Sequence, residues 1–241
     1  MYHQENKIAL ENQGYCVCSD LYSRVQVHDL HLLLDESLRE FQLKSAPVFA
    51  IRKVLDEIPE IRPLVFNQNL RELLTEIAPN HILTKSIYFD KPVGSNWFVA
   101  YHQDLSISVD KKHELEGYKN WTHKQGIIGV QPPLHILNNT LTVRIHLDDT
   151  DSSNGALKVI PKSHLDGVTR IDTKTMNISN QTICEVPSGG IMIMKPLLYH
   201  ASNRSENGNR RRVIHLEFCD QELAKPILWS EAYNWKEKFH L

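Results

Sequence analysis

Cysteine is scarce: the 241 residues hold four, Cys16, Cys18, Cys184 and Cys219, and no Cys-x-x-Cys pair. Cys16 and Cys18 are too close for an easy disulfide. A disulfide framework and a cysteine zinc site are therefore not expected, and free thiols in a reducing compartment are. No apolar run reaches the roughly 18 residues of a spanning helix. Met1 to Lys7 lacks a basic segment followed by an apolar stretch, and the last residues are no Ser-Lys-Leu address, so a cytoplasmic location is expected. An excess of one charge is also missing. Lys and Arg number 27 against 29 Asp and Glu, for a net charge of −2, which argues against a nucleic-acid or membrane-surface binder. No repeat, low-complexity tract or linker interrupts the chain, so a single domain over 1–241 is expected.

The first third reads as helical. Ser23 suits an N-cap for a helix to about Glu40, with Leu30, Leu33, Leu34, Leu38 and Phe41 at helical spacing. Pro47 and Pro59 bracket a second helix carrying Ile51, Val54, Leu55 and Ile58. Asn69 opens a third that stops before Pro79. Tyr15 to Cys18 fits a short strand after Gly14. From about residue 81 the texture changes to short strands: Ile82 to Asp90, Trp97 to Tyr101, Leu141 to Leu147, Ala156 to Ile160, Ile183 to Val186, Ile191 to Met194 and Arg211 to Phe218. Gly and Pro punctuate them, and Asn154-Gly155 is a hairpin-type turn. The pattern predicts a mainly β fold with N-terminal helices (about 1–80) and an antiparallel jelly roll (about 81–220). Residues 105–133 read as one long loop.

Thirteen histidines are many for this length. His-x-Asp at a strand end puts an imidazole and a carboxylate on one face. A distant histidine completes the two-His-one-carboxylate set of non-haem Fe(II) oxygenases, which leaves coordination positions open. Composition predicts fewer than one copy of His-x-Asp, and the chain has three: His102/Asp104, His146/Asp148 and His164/Asp166. His164 lies in a turn, where strand alternation does not apply. Asp148 runs into the Asn154-Gly155 hairpin, where turn hydrogen bonding explains a carboxylate. His102/Asp104 precedes the long loop, where an open site would sit, and His146/Asp148 is its rival.

Three groups of residues carry a family resemblance. They are Phe89-Asp90-Lys91-Pro92 through Ser95-Asn96-Trp97 to Tyr101-His102-Gln103-Asp104, then Asn154-Gly155-Ala156 through His164, then Pro196-Leu197-Leu198-Tyr199-His200-Ala201-Ser202 with Arg211-Arg212-Val213-Ile214-His215. Together these resemble the phytanoyl-CoA dioxygenase family, in its small bacterial members, over roughly 82–218. The resemblance implies a double-stranded β-helix, Fe(II) as metal, 2-oxoglutarate as cosubstrate and O2 as oxidant. It implies His102, Asp104 and His200 as metal ligands, and Arg211 and Ser202 at the cosubstrate carboxylate. Arg144 falls where a family member has a cosubstrate-contacting tryptophan, a departure from the pattern.

The implied reaction hydroxylates an unactivated C–H of a small molecule and releases succinate and CO2. Related halogenases replace the carboxylate ligand by a small residue, so Asp104 favours hydroxylation. Alternation turns Arg211, Val213 and His215 to one face, with Arg210 and Arg212 read as a solvated hairpin end and His215 as core. Gln103, Trp97 and Arg52 are candidates for the substrate pocket, although Trp97 also suits packing and Arg52 an exposed helix. The alternatives are a cupin-like binding module without oxygenase activity and a zinc hydrolase on the same ligands.

Overall fold

The computed structural model describes residues 2–42, 50–91, 98–172 and 176–237. The chain begins with helix α1 (Tyr2–Gln13), strand β1 (Tyr15–Cys18) and helix α2 (Arg24–Gln42). Strand β2 (Ala50–Arg52) and helices α3 (Val54–Glu57), α4 (Arg62–Val65) and α5 (Gln68–Ile77) follow. The β part runs β3 (Ile82–Lys91), β4 (Val99–His102), β5 (Ile107–Val109), β6 (Lys119–Lys124), β7 (Ile127–Gln131), helix α6 (Leu134–Asn138), β8 (Thr140–His146), β9 (Leu157–Val159), β10 (Thr182–Cys184), β11 (Ile191–Met194), β12 (His200–Ser202) and β13 (Arg211–Cys219).

The strands form three antiparallel sheets, ordered β1-β11-β8-β13-β3-β2, β10-β9-β12-β4 and β5-β7-β6. The first two are the layers of the jelly roll. Period-two alternation decides what each face of the large sheet does. Leu141, Val143 and Ile145 of β8 and Ile214, Leu216 and Phe218 of β13 pack under the helices, with Leu30, Leu34, Leu70 and Leu74. Arg144 of β8 and Arg211, Val213 and His215 of β13 face the other way and line a cavity between the layers.

The helical layer starts at a reciprocal cap: Ser23 Oγ accepts from the Gln26 amide at 3.3 Å, and Gln26 Oε1 accepts from the Ser23 amide at 2.9 Å. The third expected helix begins at Gln68, one residue before Asn69, because Asn67 is its cap and accepts from the Leu70 amide at 2.8 Å. The helix expected between Pro47 and Pro59 is cut to four residues; Pro47 itself lies outside the described residues. Ile51 sits in β2, paired with Tyr88 of β3, and Lys53 breaks the chain direction at φ 53°. An available sheet edge there outweighs helical spacing.

Residues 105–133 are not a loop. They fold into β5-β7-β6 and, with the C-terminal segment, bury Ile107, Val130, Ile136 and Ile227 as a separate cluster. Tyr15 to Cys18 pairs with β11 as β1, and all four cysteines are buried free thiols. Trp97 lies outside the described residues, and the strand expected from it is seen from Val99. Among the described residues no helix is long and apolar enough to cross a membrane.

Candidate metal centre and cosubstrate pocket

β4 and β12 are hydrogen-bonded neighbours, and their register sets His102 opposite His200. Their rings lie 4.2 Å apart between centroids. Each ring is anchored in the same way: His102 Nδ1 meets the Ala100 carbonyl at 2.9 Å, and His200 Nδ1 meets the Leu198 carbonyl at 2.9 Å. A carbonyl only accepts, so both Nδ1 atoms carry the proton and both Nε2 lone pairs are free for a metal. Both Nε2 atoms face one carboxylate. Asp104 Oδ1 is 3.7 Å from His102 Nε2 and Asp104 Oδ2 is 3.6 Å from His200 Nε2. The Asp104 amide donates to the Pro196 carbonyl at 2.8 Å, which ties the turn after β4 to the approach to β12. The candidate ligand atoms of the three residues all lie within 4.8 Å of one another.

Electrostatics favour the ligating forms. Burial alone would push the Asp104 carboxyl up, but the nearby His200, His215, His102 and Lys85 outweigh it and hold it at about 2. Burial brings His200 down to about 4, so its imidazole is neutral near pH 7. A carboxylate between two imidazoles whose rings are oriented by backbone carbonyls is a donor set that suits Fe(II).

The other two His-x-Asp copies are structural. Asp148 grips Arg212 through both oxygens, at 2.7 and 2.9 Å, and also accepts from the Arg212 amide at 2.8 Å. His146 Nδ1 pairs with Thr150 Oγ1 at 2.8 Å. His164 Nε2 meets the Glu11 carbonyl at 3.1 Å. Arg210 and Arg212 are not a solvated hairpin end: Arg210 bonds Asp90 at 2.7 Å and Asp35 at 3.2 Å, and Arg212 belongs to Asp148. Aspartates across the helix–sheet boundary take up charges that the strand pattern leaves outward.

Beside the three candidate ligands lies a cavity of about 170 Å³. Lys91, Arg144 and Arg211 line it, with Asp104 the one carboxylate among the described lining residues. Arg211 Nη1 and Ser202 Oγ both donate to the Gly155 carbonyl, while the buried Arg211 Nε and Arg144 Nε find no hydrogen-bond partner among the described residues. Burial, and then the neighbouring Arg144 charge, pull the Arg211 guanidinium down to about 10. Buried cations with unmatched N–H groups call for an anion. A dicarboxylate such as 2-oxoglutarate therefore fits the residues present. Gly155 makes room for this arrangement. It sits at φ +88°, and a Cβ there would stand 2.8 Å from the Asn203 carbonyl and 3.2 Å from Ser202 Oγ.

Arg144 is directly opposite His215 in the β8–β13 register. Its Nη1 lies 3.1 Å from His215 Nδ1, and His215 Nε2 lies 3.1 Å from Glu217 Oε1. Arginine only donates, so His215 accepts at Nδ1 and donates at Nε2 to Glu217. Glu217 is held in turn by Lys85 at 2.8 Å. Sequence reasoning assigned no role to Lys85, Lys91 or Glu217, and read His215 as core. The alternation of β3 and β13 was the available signal, since Lys85, Phe89 and Lys91 share the inward parity of β3, as Arg211, His215 and Glu217 do in β13.

Of the residues expected in a substrate pocket, Gln103 and Arg52 line a second cavity next to the first. The Gln103 amide is committed to backbone, donating to the carbonyls of Gly167 at 2.7 Å and Leu197 at 2.8 Å and accepting from the Thr169 amide at 3.1 Å.

Comparison with known proteins agrees with this architecture. Among curated proteins no sequence matches. Among solved structures the chain is similar to EctD from S. alaskensis with 2-oxoglutarate and 5-hydroxyectoine (TM-score 0.70, 18% identity, 92% of this chain and 78% of that one). It is also similar to the non-haem alpha-ketoglutarate-dependent carbocyclase SnoK from nogalamycin biosynthesis (0.65, 15%, 91% and 84%). A third similar structure is AviO1 from Streptomyces viridochromogenes Tue57 (0.63, 16%, 92% and 96%). At these identities the likeness is one of fold. The sequence match is more specific: the phytanoyl-CoA dioxygenase (PhyH) family profile covers residues 10–213. The chain thus belongs to the phytanoyl-CoA dioxygenase family, whose oxygenases use Fe(II) and 2-oxoglutarate.

Proposed function

We propose that the protein hydroxylates an unactivated C–H bond of a small molecule, with His102, Asp104 and His200 holding the ferrous ion. The observation that carries this reading is the pair of imidazoles whose Nδ1 atoms are each held by the backbone carbonyl two residues earlier, so that both Nε2 atoms meet Asp104 beside a cationic pocket. Bound Fe(II) and 2-oxoglutarate supply the oxidation, in which one O2 is divided between succinate (with loss of CO2) and the new alcohol.

The chain's own residues supply position and charge. Arg211 offers its guanidinium to the distal carboxylate of the cosubstrate, and Ser202 adds a hydroxyl beside it. Arg144, anchored by His215 and Glu217, carries positive charge next to Asp104. Leu157, Val99 and Val213 keep the pocket walls apolar, which strengthens these charge interactions and limits water. With Asp104 as the carboxylate ligand no coordination position would be left for a halide, which favours hydroxylation over halogenation.

Succinate formation in the presence of Fe(II), 2-oxoglutarate and O2 tests the proposal. The parent forms succinate, and His102→Ala and Asp104→Ala do not. Undiminished turnover by both variants would sink the assignment. A cupin-like module would bind ligand without iron-dependent succinate.

A further inference from the structure

The second cavity, of about 500 Å³, shares Phe89, Asp104 and His215 with the cosubstrate pocket, so it opens directly onto the candidate metal centre. Its volume is in the range of small-molecule sites. Its outer wall is the β5-β7-β6 sheet, and that wall is polar. Gly129, in the middle strand, is bare backbone: a Cβ there would stand 2.6 Å from Thr122 Oγ1 and 2.8 Å from Ser106 Oγ. Two hydroxyls therefore converge over the one residue without a side chain. Next to them Asn120 Nδ2 donates to Gln131 Oε1 at 2.7 Å, which leaves a donor on Gln131 and an acceptor on Asn120 for a ligand.

The charges divide into committed and uncommitted. Lys85 is paired with Glu217 at 2.8 Å and donates to the Ser106 carbonyl at 2.6 Å. Asp104 belongs to the candidate metal set. Arg52 and Lys124 have no carboxylate partner among the described residues. Arg52 Nε reaches Gln125 Oε1 at 3.4 Å, which brings its guanidinium to the β6–β7 turn beside Lys124. Two cations thus flank one corner of a cavity floored by hydroxyls and amides.

From this geometry we infer that the cavity is the substrate site and takes a small polar metabolite. Its hydroxyl or amide groups lie over Gly129, and its carboxylate or phosphate lies between Arg52 and Lys124. An acyl chain here would set the remaining Gln131 donor, the Asn120 acceptor and the Thr122 hydroxyl against hydrocarbon. The inference rests on the proposed metal site only for calling the bound molecule a substrate. The binding itself depends on the outer wall and on Arg52 of β2.

The test is ligand-observed saturation-transfer NMR on the full chain kept metal-free with EDTA. The probes are free L-amino acids, N-acetyl amino acids, sugar phosphates, the methyl esters of the acids, and octanoyl-pantetheine. Binding is expected among the anionic polar probes, lost on esterification, and weaker by about tenfold in the double variant Arg52→Gln/Lys124→Gln, the size expected for two rim charges. The acid and phosphate arms identify which anion is preferred. Signals that survive the double variant but fall in Arg211→Gln would place the probe in the cosubstrate pocket instead and overturn the inference. Lys124→Gln alone, at an exposed position, gives a smaller loss and guards against misfolding of the double variant. Equal or tighter binding of octanoyl-pantetheine or the esters, indifference to both lysine and arginine changes, or no binding by any probe overturns the inference. No iron or turnover enters the measurement, so its failure leaves the oxygenase proposal standing, and absent succinate formation leaves the binding result standing.

Discussion

His102 and His200 face each other across the β4–β12 pair, and each ring is hydrogen-bonded to the carbonyl two residues before it in the chain. The donor atoms are thus oriented by backbone that the sheet already fixes. Replacing either histidine by alanine is expected to lower metal affinity at least about 100-fold, since loss of mere anchoring partners costs 10–100-fold. Equilibrium dialysis against Fe(II) or Mn(II) under anaerobic conditions measures it. Thermal stability of the metal-free chain should change far less than metal affinity does.

Asp148 provides the matching control. It holds Arg212 through three hydrogen bonds, in a motif that reads in sequence like a metal site. Asp148→Ala is expected to cost about 1.5–3 kcal/mol of stability, the scale of a hydrogen-bonded charge. It should leave the stoichiometry of metal binding untouched. Urea unfolding and metal titration of the same sample separate the two. Loss of the metal with stability intact would reassign the motif.

Arg211 is buried with an unmatched Nε. Arg211→Gln removes the charge that a cosubstrate carboxylate would meet, and the KM for 2-oxoglutarate should rise by about 30-fold or more, in line with the 2–5 kcal/mol of a buried charge contact. Arg211→Lys should recover part of that loss. A KM that stays at the parent value in Arg211→Gln contradicts the assigned role.

Gly155 should tolerate no side chain. At φ +88° and with the Asn203 carbonyl 2.8 Å from a hypothetical Cβ, alanine carries both backbone strain and a clash. Gly155→Ala is expected to lose about 1–3 kcal/mol in stability and to weaken 2-oxoglutarate binding, because Ser202 and Arg211 are both anchored to the carbonyl of this residue. Thermal unfolding and cosubstrate KM report the two effects.

Glu217 makes stability depend on acid. Burial would raise its carboxyl, but Lys85 and His215 prevail and hold it below its ordinary 4.5. A depressed folded value stabilises the fold above about pH 4.5, and this stabilisation is lost as pH falls through the folded value. Urea unfolding between about pH 3 and pH 7 should show the decline. In Glu217→Gln the decline should be shallower, with Asp104, held at about 2, contributing what remains.

Legibility followed alternation. Arg211, Val213 and His215 could be put on one face of β13 by alternation, whereas Arg144 was reached only through the family resemblance and the contact of His215 with it needed the β8–β13 register. β6 could not be read. Its sequence Lys-Asn-Trp-Thr-His-Lys is mostly exposed and has no period, and it is held as a strand by pairing with β7. β2 and β12 are three residues each, too short for any pattern. His200 stood out only through the family resemblance, because its residue type and apolar neighbours equally suit a packed core histidine. The His102/Asp104 and His146/Asp148 copies differ in what the carboxylate grips. Asp148 has Arg212, whereas Asp104 has two imidazoles, and that difference exists only once β4 and β12 meet.

The β5-β7-β6 sheet leaves the chain just after the Asp104 turn and rejoins it before β8, and it packs on an apolar cluster that α6, Cys219 of β13 and the C-terminal segment complete. It stands to the barrel as a cassette to its holder. Substitutions within residues 105–133 should therefore alter which molecule is accepted, while the strands that carry His102, His200 and Arg211 keep their pairing. Swapping this segment between relatives should transplant selectivity only when the C-terminal residues that complete its cluster, Ile227 and Trp229 among them, move with it.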